Sequence, residues 1–480
     1  MADAWLSDTL TARALGAASG GRGRSVDDLA ELVRIPSLTG EEGRAQAHLA
    51  DVLASLGAEV ELVEPDIGQL FQRFPEIAQY PTHWKHDLIL PYDELPTHQA
   101  LVASGLTDRL NYRNRPNLVA VLRGTGGGRS LILNGHIDTV TVEPREQWTR
   151  DPVGAAIEDG RMYGRGTSDM KGGLMAAVMA LTYLHEAGVR LPGDLIFECV
   201  VNEEHAGNGT LDLVRRGYRA DAAIVLEPTN NNVFVSHPGG LYWEVILPGV
   251  QRSPGARWTG GVQDGVSAIE KLPPVIGALL ELEAQLNREA GGRPEEEEGH
   301  QPFSLVIGKV AGGHYETVTA GEAVLRGVAY FGPSVGAVQD VMRRFRAAIA
   351  TANARDPFLS RHPARIMFLH HDDSTRQDPA IPVAREMAAS LARRGASDAI
   401  GYGPFCCDMR HLVNQAGIPS IILGPGTIAQ AHKPDEHIAV GEYLDCIEHL
   451  IAFIVRWCGD PAPMGASPGR AVARANSRGT

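Results

Sequence analysis

The sequence predicts an α/β fold in which a parallel-rich sheet covered by helices is interrupted by a smaller α+β domain. Strand and helix patterns alternate in the first half of the chain, which is typical of βαβ units and parallel strands. After about Ser236 the pattern becomes strand, long helix, two strands and an amphipathic helix, which is typical of a small α+β domain. The α/β pattern then returns, so we predict that the small domain is inserted into the larger one. The predicted segments are a flexible N-terminal stretch (1–24), the larger domain (25–236 and 352–460), the inserted domain (237–351) and a flexible tail (461–480).

The elements of the larger domain follow from its apolar patterns. A helix begins at Ser25, a capping residue followed by acids in the first turn. "NLVAVLRG" and "SLILNGHIDTV" are apolar runs bounded by glycine-rich turns, as buried strands are. "KGGLMAAVMALTYLHEAG" is an apolar helix that ends at Gly188, and "DLIFECVVN" and "AAIVLEP" are again strands. This order predicts strands that run in the same direction.

The inserted domain has its own sequence of elements. "GGLYWEVILPG" has the pattern of a half-exposed strand, and a long helical pattern interrupted near Pro273 and Pro274 follows it. "FSLVIGKVAGG" and "AVLRGVAYFG" are then two further strands. From "PARIMFLHHDD" onward, through the buried strand "SIILGPG", the pattern is again that of the larger domain.

Composition limits the function classes. A chain of 480 residues is too long for one compact core and suggests two or three domains. Its formal net charge of −14 argues against nucleic acid as the main partner. Neither a leader of secretory type nor an apolar run of membrane-spanning length is recognisable, so we expect no membrane partner. Five cysteines without a CxxC pair indicate a reducing compartment, and we expect a cytoplasmic protein.

Acids and histidines follow several of the predicted strands. The adjacent pair Glu203 and Glu204 comes directly after an apolar strand, where two carboxylates repel unless a positive charge offsets them. Because the carboxyl ends of strands in an α/β sheet converge on one crevice, residues distant in sequence meet there. Two histidines and three or four carboxylates suit a pair of divalent ions of the zinc, cobalt or manganese type. The further candidates at strand ends or glycine-rich turns are His136, Asp138, Asp169, Glu227 and His432.

Two of these carboxylates have positions that suggest particular contacts. Asp169, in a glycine-flanked turn, could bridge both ions. Asp138 lies two residues after His136 on a strand, so both side chains point to the same side, and Asp138 could hold the imidazole from behind.

Together these segments resemble the acetylornithine deacetylase / succinyl-diaminopimelate desuccinylase family of two-metal (zinc) peptidases and aminoacylases. The resemblance spans roughly Ser25 to Gly459 and depends on "RIPSLTGEE", "GHIDTV", "GRGTSDMKGG", "VVNEEHAGNGT", "LEPT" and "CDMRHLVNQAGIPSIILGPG" with the later "AHKPDEH", in family order. It implies an α/β catalytic domain interrupted by a lid domain that makes a homodimer contact. It also implies that Glu203 is the general base and that Asp138 orients His136. The implied ligands are His136, Asp169 and Glu227 for one metal, and Asp169, Glu204 and His432 for the other.

The predicted function is therefore that of a two-metal-dependent hydrolase that cleaves an amide bond in a small molecule, as N-acyl amino acid deacylases do. Glu203 would act as general base on a water shared by the two ions, which we expect to be zinc, with cobalt or manganese as alternatives. One alternative is a dipeptidase, carboxypeptidase or carbamoyl-type amidohydrolase on the same site. Another is a family member with an altered lid, used as a scaffold or recruited to a non-hydrolytic or specialised-metabolism step.

The inserted domain departs from the family pattern. Residues 251–254 stand where the family carries a His-Ala pair whose histidine supports the tetrahedral oxyanion, and an arginine that holds a substrate carboxylate is absent near Ala329 and Tyr330. Cys407 stands where the family has Ser or Thr, and we predict a buried thiol. These departures leave the metal ligands intact and predict an unusual substrate. The side chains that could replace the missing groups are Arg252, Arg257, His237 and His314.

Overall fold

The structure, a computed structural model, describes residues 2–81, 105, 111–291 and 301–460, and the predicted flexible tail at 461–480 lies outside these residues. The described part of the chain contains two main sheets, each with its own helices, and three small sheets of two or three strands. The α-helices are α1 (Ala2–Gly20), α2 (Arg22–Arg34), α3 (Gly43–Ser55), α4 (Ile67–Arg73), α5 (Gly172–Glu186), α6 (Asn208–Arg216), α7 (Leu272–Ala290), α8 (Val338–Arg355), α9 (Pro382–Arg393) and α10 (Val440–Gly459). The strands are β1 (Glu59–Val63), β2 (Asn117–Leu122), β3 (Leu131–His136), β4 (Ala156–Glu158), β5 (Arg161–Tyr163), β6 (Leu195–Val200), β7 (Ala222–Val225), β8 (Val233–Phe234), β9 (Ser236–His237), β10 (Gly239–Pro248), β11 (Trp258–Thr259), β12 (Val262–Gln263), β13 (Phe303–Gly312), β14 (Glu322–Phe331), β15 (Arg365–Asp372), β16 (Thr375–Arg376), β17 (Ile400–Gly401), β18 (Ser420–Ile422) and β19 (His437–Ala439).

The larger sheet has eight strands in the order β1-β2-β6-β3-β7-β18-β8-β17. Its central strands β6, β3, β7 and β18 run parallel to one another, while β1, β2 and the β18–β8 pair add antiparallel contacts. Every residue of β3, β6 and β7 is buried, because helices cover both faces of the sheet. This architecture confirms the predicted parallel-rich α/β sheet.

The N-terminal segment is helical, which contradicts the prediction of a flexible stretch at residues 1–24. In α1, Ala14 and Ala18 are fully or almost fully buried and pack into the core that also contains α5 and α10. The guanidinium of Arg13 donates a hydrogen bond to the carbonyl of Ala187. A composition rich in Gly, Ala, Ser and Arg predicts flexibility, yet alanine, leucine and arginine are strong helix formers. Small alanines also allow close packing against the neighbouring helices.

The smaller sheet has four antiparallel strands in the order β13-β14-β10-β15, with α7 and α8 packed on one face. Trp243, Phe345 and Phe368 meet at the centre of its core, with ring centroids 6.0 and 6.2 Å apart. Pro273 and Pro274 lie in the first turn of α7, where a proline needs no hydrogen-bond partner, so they begin this helix instead of interrupting it.

Strand β15 (Arg365–Asp372) corrects one detail of the sequence prediction. Its residues fall in the segment 352–460 that was assigned to the larger domain, but β15 pairs with β10 and completes the smaller sheet. Its apolar run "IMFL" resembles a buried strand of either domain, and sequence alone does not identify its partner. The other domain boundaries stay predictions.

The two sheets face one another across a cavity. The carboxyl ends of β3, β6 and β7 line one side of it, and the ends of β10, β14 and β15 line the other. Among the described residues, no helix combines the length and the apolar character needed to cross a membrane.

Candidate active site

Two histidines and a bridging carboxylate form the centre of the site. His136, the last residue of β3, donates a hydrogen bond from Nδ1 to the main-chain carbonyl of Asp138 (2.8 Å), and this contact turns its Nε2 toward Asp169 Oδ1 at 3.1 Å. The second oxygen of Asp169 lies 3.4 Å from Nε2 of His432. The carboxylate of Asp169 therefore stands between two imidazoles that are 296 residues apart in the chain.

The three glutamates complete the cluster. Glu204 Oε2 lies 2.9 Å from His432 Nε2, and its other oxygen accepts a hydrogen bond from the main-chain nitrogen of Val140. Glu227 and Glu203 approach Nε2 of His136 at 3.7 and 3.8 Å. The structure thus brings together the side chains that were predicted as metal ligands and general base. Their individual roles stay predictions.

Mutual proximity perturbs the pKa values of these groups, which are buried or nearly so except for the half-exposed His432. Burial, together with neighbouring carboxylates, raises the pKa of Glu203 and that of Glu227 well above the ordinary value. Burial acts against the charged ring of His136, but its hydrogen bond to Asp169 and the charges of Glu227 and Glu203 hold its pKa well above the usual range. The charge of Glu204 raises the pKa of His432 to about 11. The cluster therefore attracts positive charge strongly.

Asp138 makes different contacts from those expected of it. Its side chain is 3.8 Å from Nδ1 of His136, outside hydrogen-bonding distance, and the ring is oriented by the main-chain carbonyl of Asp138 instead. The carboxylate accepts hydrogen bonds from the main-chain nitrogens of Glu203 (3.1 Å) and Glu204 (3.3 Å) and from the hydroxyl of Thr39 (3.0 Å). One residue thus positions both His136 and the two glutamates.

A buried acid that the sequence analysis missed, Glu436, holds the turn that carries Asp169. Its carboxylate accepts hydrogen bonds from the main-chain nitrogens of Gly166 (3.0 Å), Ser168 (2.9 Å) and Asp169 (3.1 Å). The guanidinium of Arg165 adds a charged contact at 2.7 Å, and both side chains of this pair are nearly inaccessible. Glu436 belongs to the quoted motif "AHKPDEH", from which the sequence analysis selected only His432.

The cavity beside the cluster has a volume of about 680 Å³. Its described walls include the aromatic side chains of Tyr80, Tyr242, Tyr330 and Phe405, and the hydroxyls of Tyr242 and Tyr330 are hydrogen-bonded to each other. None of the described residues that line the cavity is an arginine or a lysine. The remaining lining residues are Gln79, Val140, Asp169, Glu203, Glu204, His205, Glu227, Leu369, His370, Asp372, Pro404, Cys406, Ile428, Ala431 and His432.

The four side chains considered as replacements for the missing lid groups do not line this cavity. Arg252 pairs with Asp264 and Arg257 pairs with Glu270 on the surface of the smaller sheet's loops. His237 is buried and donates to the carbonyl of Pro238, and burial lowers its pKa to about 4. His314 lines a separate surface groove. Cys407 is fully buried, as predicted for an unreactive thiol.

The donor set fits divalent metal ions. Asp169 and the three glutamates face only two imidazoles, so the cluster holds more negative than positive charge. In two groups, His136 with Glu203 and Glu227 and His136 with Asp169 and Glu204, the nearest nitrogen and oxygen atoms all lie within 4.8 Å of one another. Imidazole nitrogens and carboxylate oxygens are ligands that zinc and manganese share.

The α/β fold and the cluster of histidines and carboxylates are those of a metal-dependent hydrolase, and the sequence matches a known family of this class. The model of Peptidase family M20/M25/M40 matches residues 132–456, and the chain belongs to this family. It is accordingly a metal-dependent hydrolase of amide bonds, which confirms the family and the reaction class that the motifs predicted.

The chain is similar in sequence to a deformylase and a deacetylase and in structure to a peptidase. The chain is similar to the N-formyl-4-amino-5-aminomethyl-2-methylpyrimidine deformylase of Halalkalibacterium halodurans, with 32% identity over 367 residues that cover 72% of this chain and 84% of the relative. It is 29% identical over 347 residues to the acetylornithine deacetylase of Myxococcus xanthus, with the same coverage of 72% and 84%. A tripeptidase structure from Staphylococcus aureus has a TM-score of 0.64 at 19% identity and covers 91% of this chain and 98% of that chain, which supports the fold.

Proposed function

We propose that this chain removes a small acyl group, such as formyl, from the amine of a planar small molecule that carries no carboxylate. The observation that carries this proposal is the composition of the cavity. Its described walls are aromatic and acidic and include neither arginine nor lysine. It lies beside the metal-type cluster, which consists of His136, Asp169, Glu203, Glu204, Glu227 and His432. An N-acyl amino acid needs a cationic partner for its carboxylate, because burying an unpaired carboxylate is costly. A neutral or basic heterocycle needs none.

The wall residues suit an aromatic ring. Tyr242, Tyr330 and Phe405 are large flat side chains that can stack on or contact the edge of a planar substrate. The carboxylates of the cluster favour a positively charged amine product over a negatively charged one. These features agree with the formylated aminopyrimidine in the name of the Halalkalibacterium halodurans relative.

In this proposal the metal ligands are divided as the family resemblance implies. His136, Asp169 and Glu227 would hold one zinc ion, while Asp169, Glu204 and His432 would hold the other. Two such ions, when bound, lower the pKa of water and polarise an acyl carbonyl.

Glu203 would then act as the general base. Its carboxylate takes a proton from the attacking water as the new carbon–oxygen bond forms, and returns a proton to the nitrogen as the carbon–nitrogen bond breaks. Its nearly buried carboxylate, 3.8 Å from Nε2 of His136 at the edge of the proposed ligand set, supports this role. The hydrogen bond from its main-chain nitrogen to Asp138 fixes its backbone.

We further propose a cytoplasmic homodimer formed through the smaller sheet. All five cysteines are free, which supports a reducing compartment. Strand β13 lies at the edge of the smaller sheet, and Val306 and Val310 on it are about half exposed, which suits a contact between copies of the chain. Light scattering of the purified protein measures the number of subunits.

The test is hydrolysis of two matched substrate sets after reconstitution with zinc. One set holds N-formyl and N-acetyl derivatives of aminomethylpyrimidines, and the other holds N-acyl amino acids that include N-acetylornithine. We expect kcat/KM to be at least about tenfold higher for the first set. A higher value for N-acetylornithine would reject the proposed substrate class.

Two variants separate the proposed base from a proposed ligand. Glu203→Gln is expected to lower kcat by about 10²- to 10⁴-fold while it retains bound zinc, because it removes proton transfer only. Glu204→Gln is expected to lose zinc as well as activity. Equal loss of zinc in both variants would show that Glu203 is a ligand.

A further inference from the structure

We propose that His370 is a catalytic residue that donates a hydrogen bond to the acyl oxygen of the substrate as negative charge develops on it, and that Asp372 and Arg410 are positioning residues for its ring. The inference rests on the proposed amide hydrolysis. It concerns a side chain on the opposite wall of the cavity from the metal-type cluster.

The strand that carries His370 is shaped to turn it into the cavity. Strand β15 pairs with β10 through Tyr242–His370 and Trp243–Phe368, so Leu369 is an extra residue in the pairing. Such a bulge redirects the side chains beside it, and both Leu369 and His370 line the cavity. The ring of Tyr242 contacts the ring of His370 edge-on, with centroids 5.4 Å apart. His370 is thus directed toward the space that a substrate would fill.

A line of buried charges fixes the imidazole. Nε2 of His370 lies 2.7 Å from Oδ2 of Asp372, and Oδ1 of Asp372 lies 2.8 Å from Nη2 of Arg410. Arg410 also donates from Nη1 to the carbonyl of Cys407 (2.8 Å). The side chain of Arg410 is 2% exposed and that of Asp372 is 10% exposed. A second buried carboxylate, that of Asp408, lies 3.6 Å from Nη2 of Arg410. Burying these charges is expensive, and Asp372 connects them to a ring in the cavity, which suggests a function for the arrangement.

These contacts decide which ring nitrogen of His370 can reach a substrate. Because Nε2 donates to Asp372, only Nδ1 remains for another partner, and none of the described residues makes a hydrogen bond with it. Burial opposes ionisation of Asp372, but Arg410 and His370 hold its pKa below the usual range. In the doubly protonated form of the ring, Nε2–H stays bonded to the Asp372 carboxylate and Nδ1–H is the free donor.

His370 lies where amide hydrolysis requires a hydrogen-bond donor for the acyl oxygen. His370 lines the same cavity as Glu203 and Asp169, so a substrate within this cavity has its amide between the two walls. When water attacks the carbonyl carbon, the electron pair of the double bond moves to the acyl oxygen. A donor that is already oriented stabilises this charge without reorganisation, and removal of one such donor costs about 10²- to 10³-fold in kcat.

The test compares His370→Gln with His314→Gln in the zinc-loaded protein. His314 is exposed on a loop of the smaller sheet and outside the cavity, so its variant serves as a matched control with unchanged activity. We expect His370→Gln to lower kcat about 10²-fold, with KM within about threefold and zinc content unchanged. The amine product, which has no acyl oxygen, should inhibit both variants with the same constant.

Asp372→Asn and the double variant test the positioning role. Asp372→Asn should lower kcat about tenfold. The double variant, with both His370→Gln and Asp372→Asn, should be no slower than His370→Gln alone, because Asp372 acts only through the His370 ring. If the two substitutions damaged the structure independently, the loss of kcat in the double variant would equal the product of the losses in the single variants. An unchanged kcat in His370→Gln, or a parallel rise in its KM and product inhibition constant, would overturn the inference. Wild-type protein that hydrolyses no N-acyl amine would instead refute the proposed function, so the two failures are distinguishable.

Discussion

Replacement of Glu436 by glutamine tests whether a buried acid outside the ligand set controls the metal site. The carboxylate of Glu436 accepts three main-chain hydrogen bonds from the turn at residues 166–169 and one charged contact from Arg165. In Glu436→Gln, one oxygen becomes an NH₂ group that faces N–H donors, and the guanidinium of Arg165 loses its counter-charge. The side chains of Glu436 and Arg165 are 1% and 4% exposed, so water does not compensate.

The expected loss follows from this geometry. Removing one partner of a buried ion pair costs about 3 to 5 kcal/mol in the free energy of unfolding. The turn also carries Asp169, which stands between the two histidines, and disturbed supporting contacts of this kind reduce metal affinity about 10- to 100-fold. We therefore expect a loss of stability and a loss of zinc in the same variant.

Denaturant unfolding and zinc titration measure these two effects. Glu158→Gln is the matched control, because Glu158 pairs with Arg150 at the surface, where its side chain is 50% exposed, and should cost at most about 1 kcal/mol. A Glu436→Gln protein within about 1 kcal/mol of wild type, with unchanged zinc affinity, would refute the reasoning.

Three further predictions concern the metal, the pH and the packing. Removal of divalent metal by a chelator should abolish hydrolysis and lower the unfolding temperature, and added zinc should restore both; activity that survives complete removal would contradict the assignment. His237 and His371 are buried, and burial lowers their pKa values to about 4 and about 3, so between about pH 6.5 and pH 4 these two imidazoles bind protons mainly in the unfolded chain. Stability should therefore fall as the pH drops from about 6.5 toward 4, by up to about 1.4 kcal/mol per pH unit for each histidine, and His371→Gln should make the slope shallower in unfolding curves. Gly173→Ala should destabilise the protein by about 1 to 3 kcal/mol despite the better helix propensity of alanine, because an added Cβ would overlap the carbonyl oxygen of Leu226; equal or greater stability in calorimetry would contradict this packing argument.

The sequence located the metal-type cluster because each of its residues follows a buried strand or lies in a glycine-rich turn. His136 and Glu227, for example, come directly after apolar runs whose carboxyl ends must meet. The contacts of Asp138 do not follow from this pattern. The spacing places Asp138 near His136, but it does not show whether the carboxylate or the main-chain carbonyl of Asp138 orients the ring. The helix at residues 2–20 was missed because composition alone suggested flexibility, whereas packing against α5 and α10 stabilises it.

The spacing of His370 and Asp372 is itself a sequence signal for their contact. They alternate on one strand, so both side chains point to the same side, and an acid two residues from a histidine can hold its ring. What sequence could not provide was the partner of this strand, because strand pairing in the smaller sheet brings together residues more than 120 positions apart. Glu436 was hidden for a similar reason, since its burial depends on a turn from a distant part of the chain.

The division of the cavity between two sheets has a consequence for changing the substrate. Tyr242 and Tyr330 belong to the smaller sheet, whereas His136 and Glu227 follow strands of the larger one. Libraries directed at the tyrosine wall can therefore exchange one acylated amine for another while the strands that carry the reaction keep their packing. For an engineer, the two tyrosines are positions to vary apart from His136 and Glu227, provided that His370, whose ring contacts Tyr242, is kept.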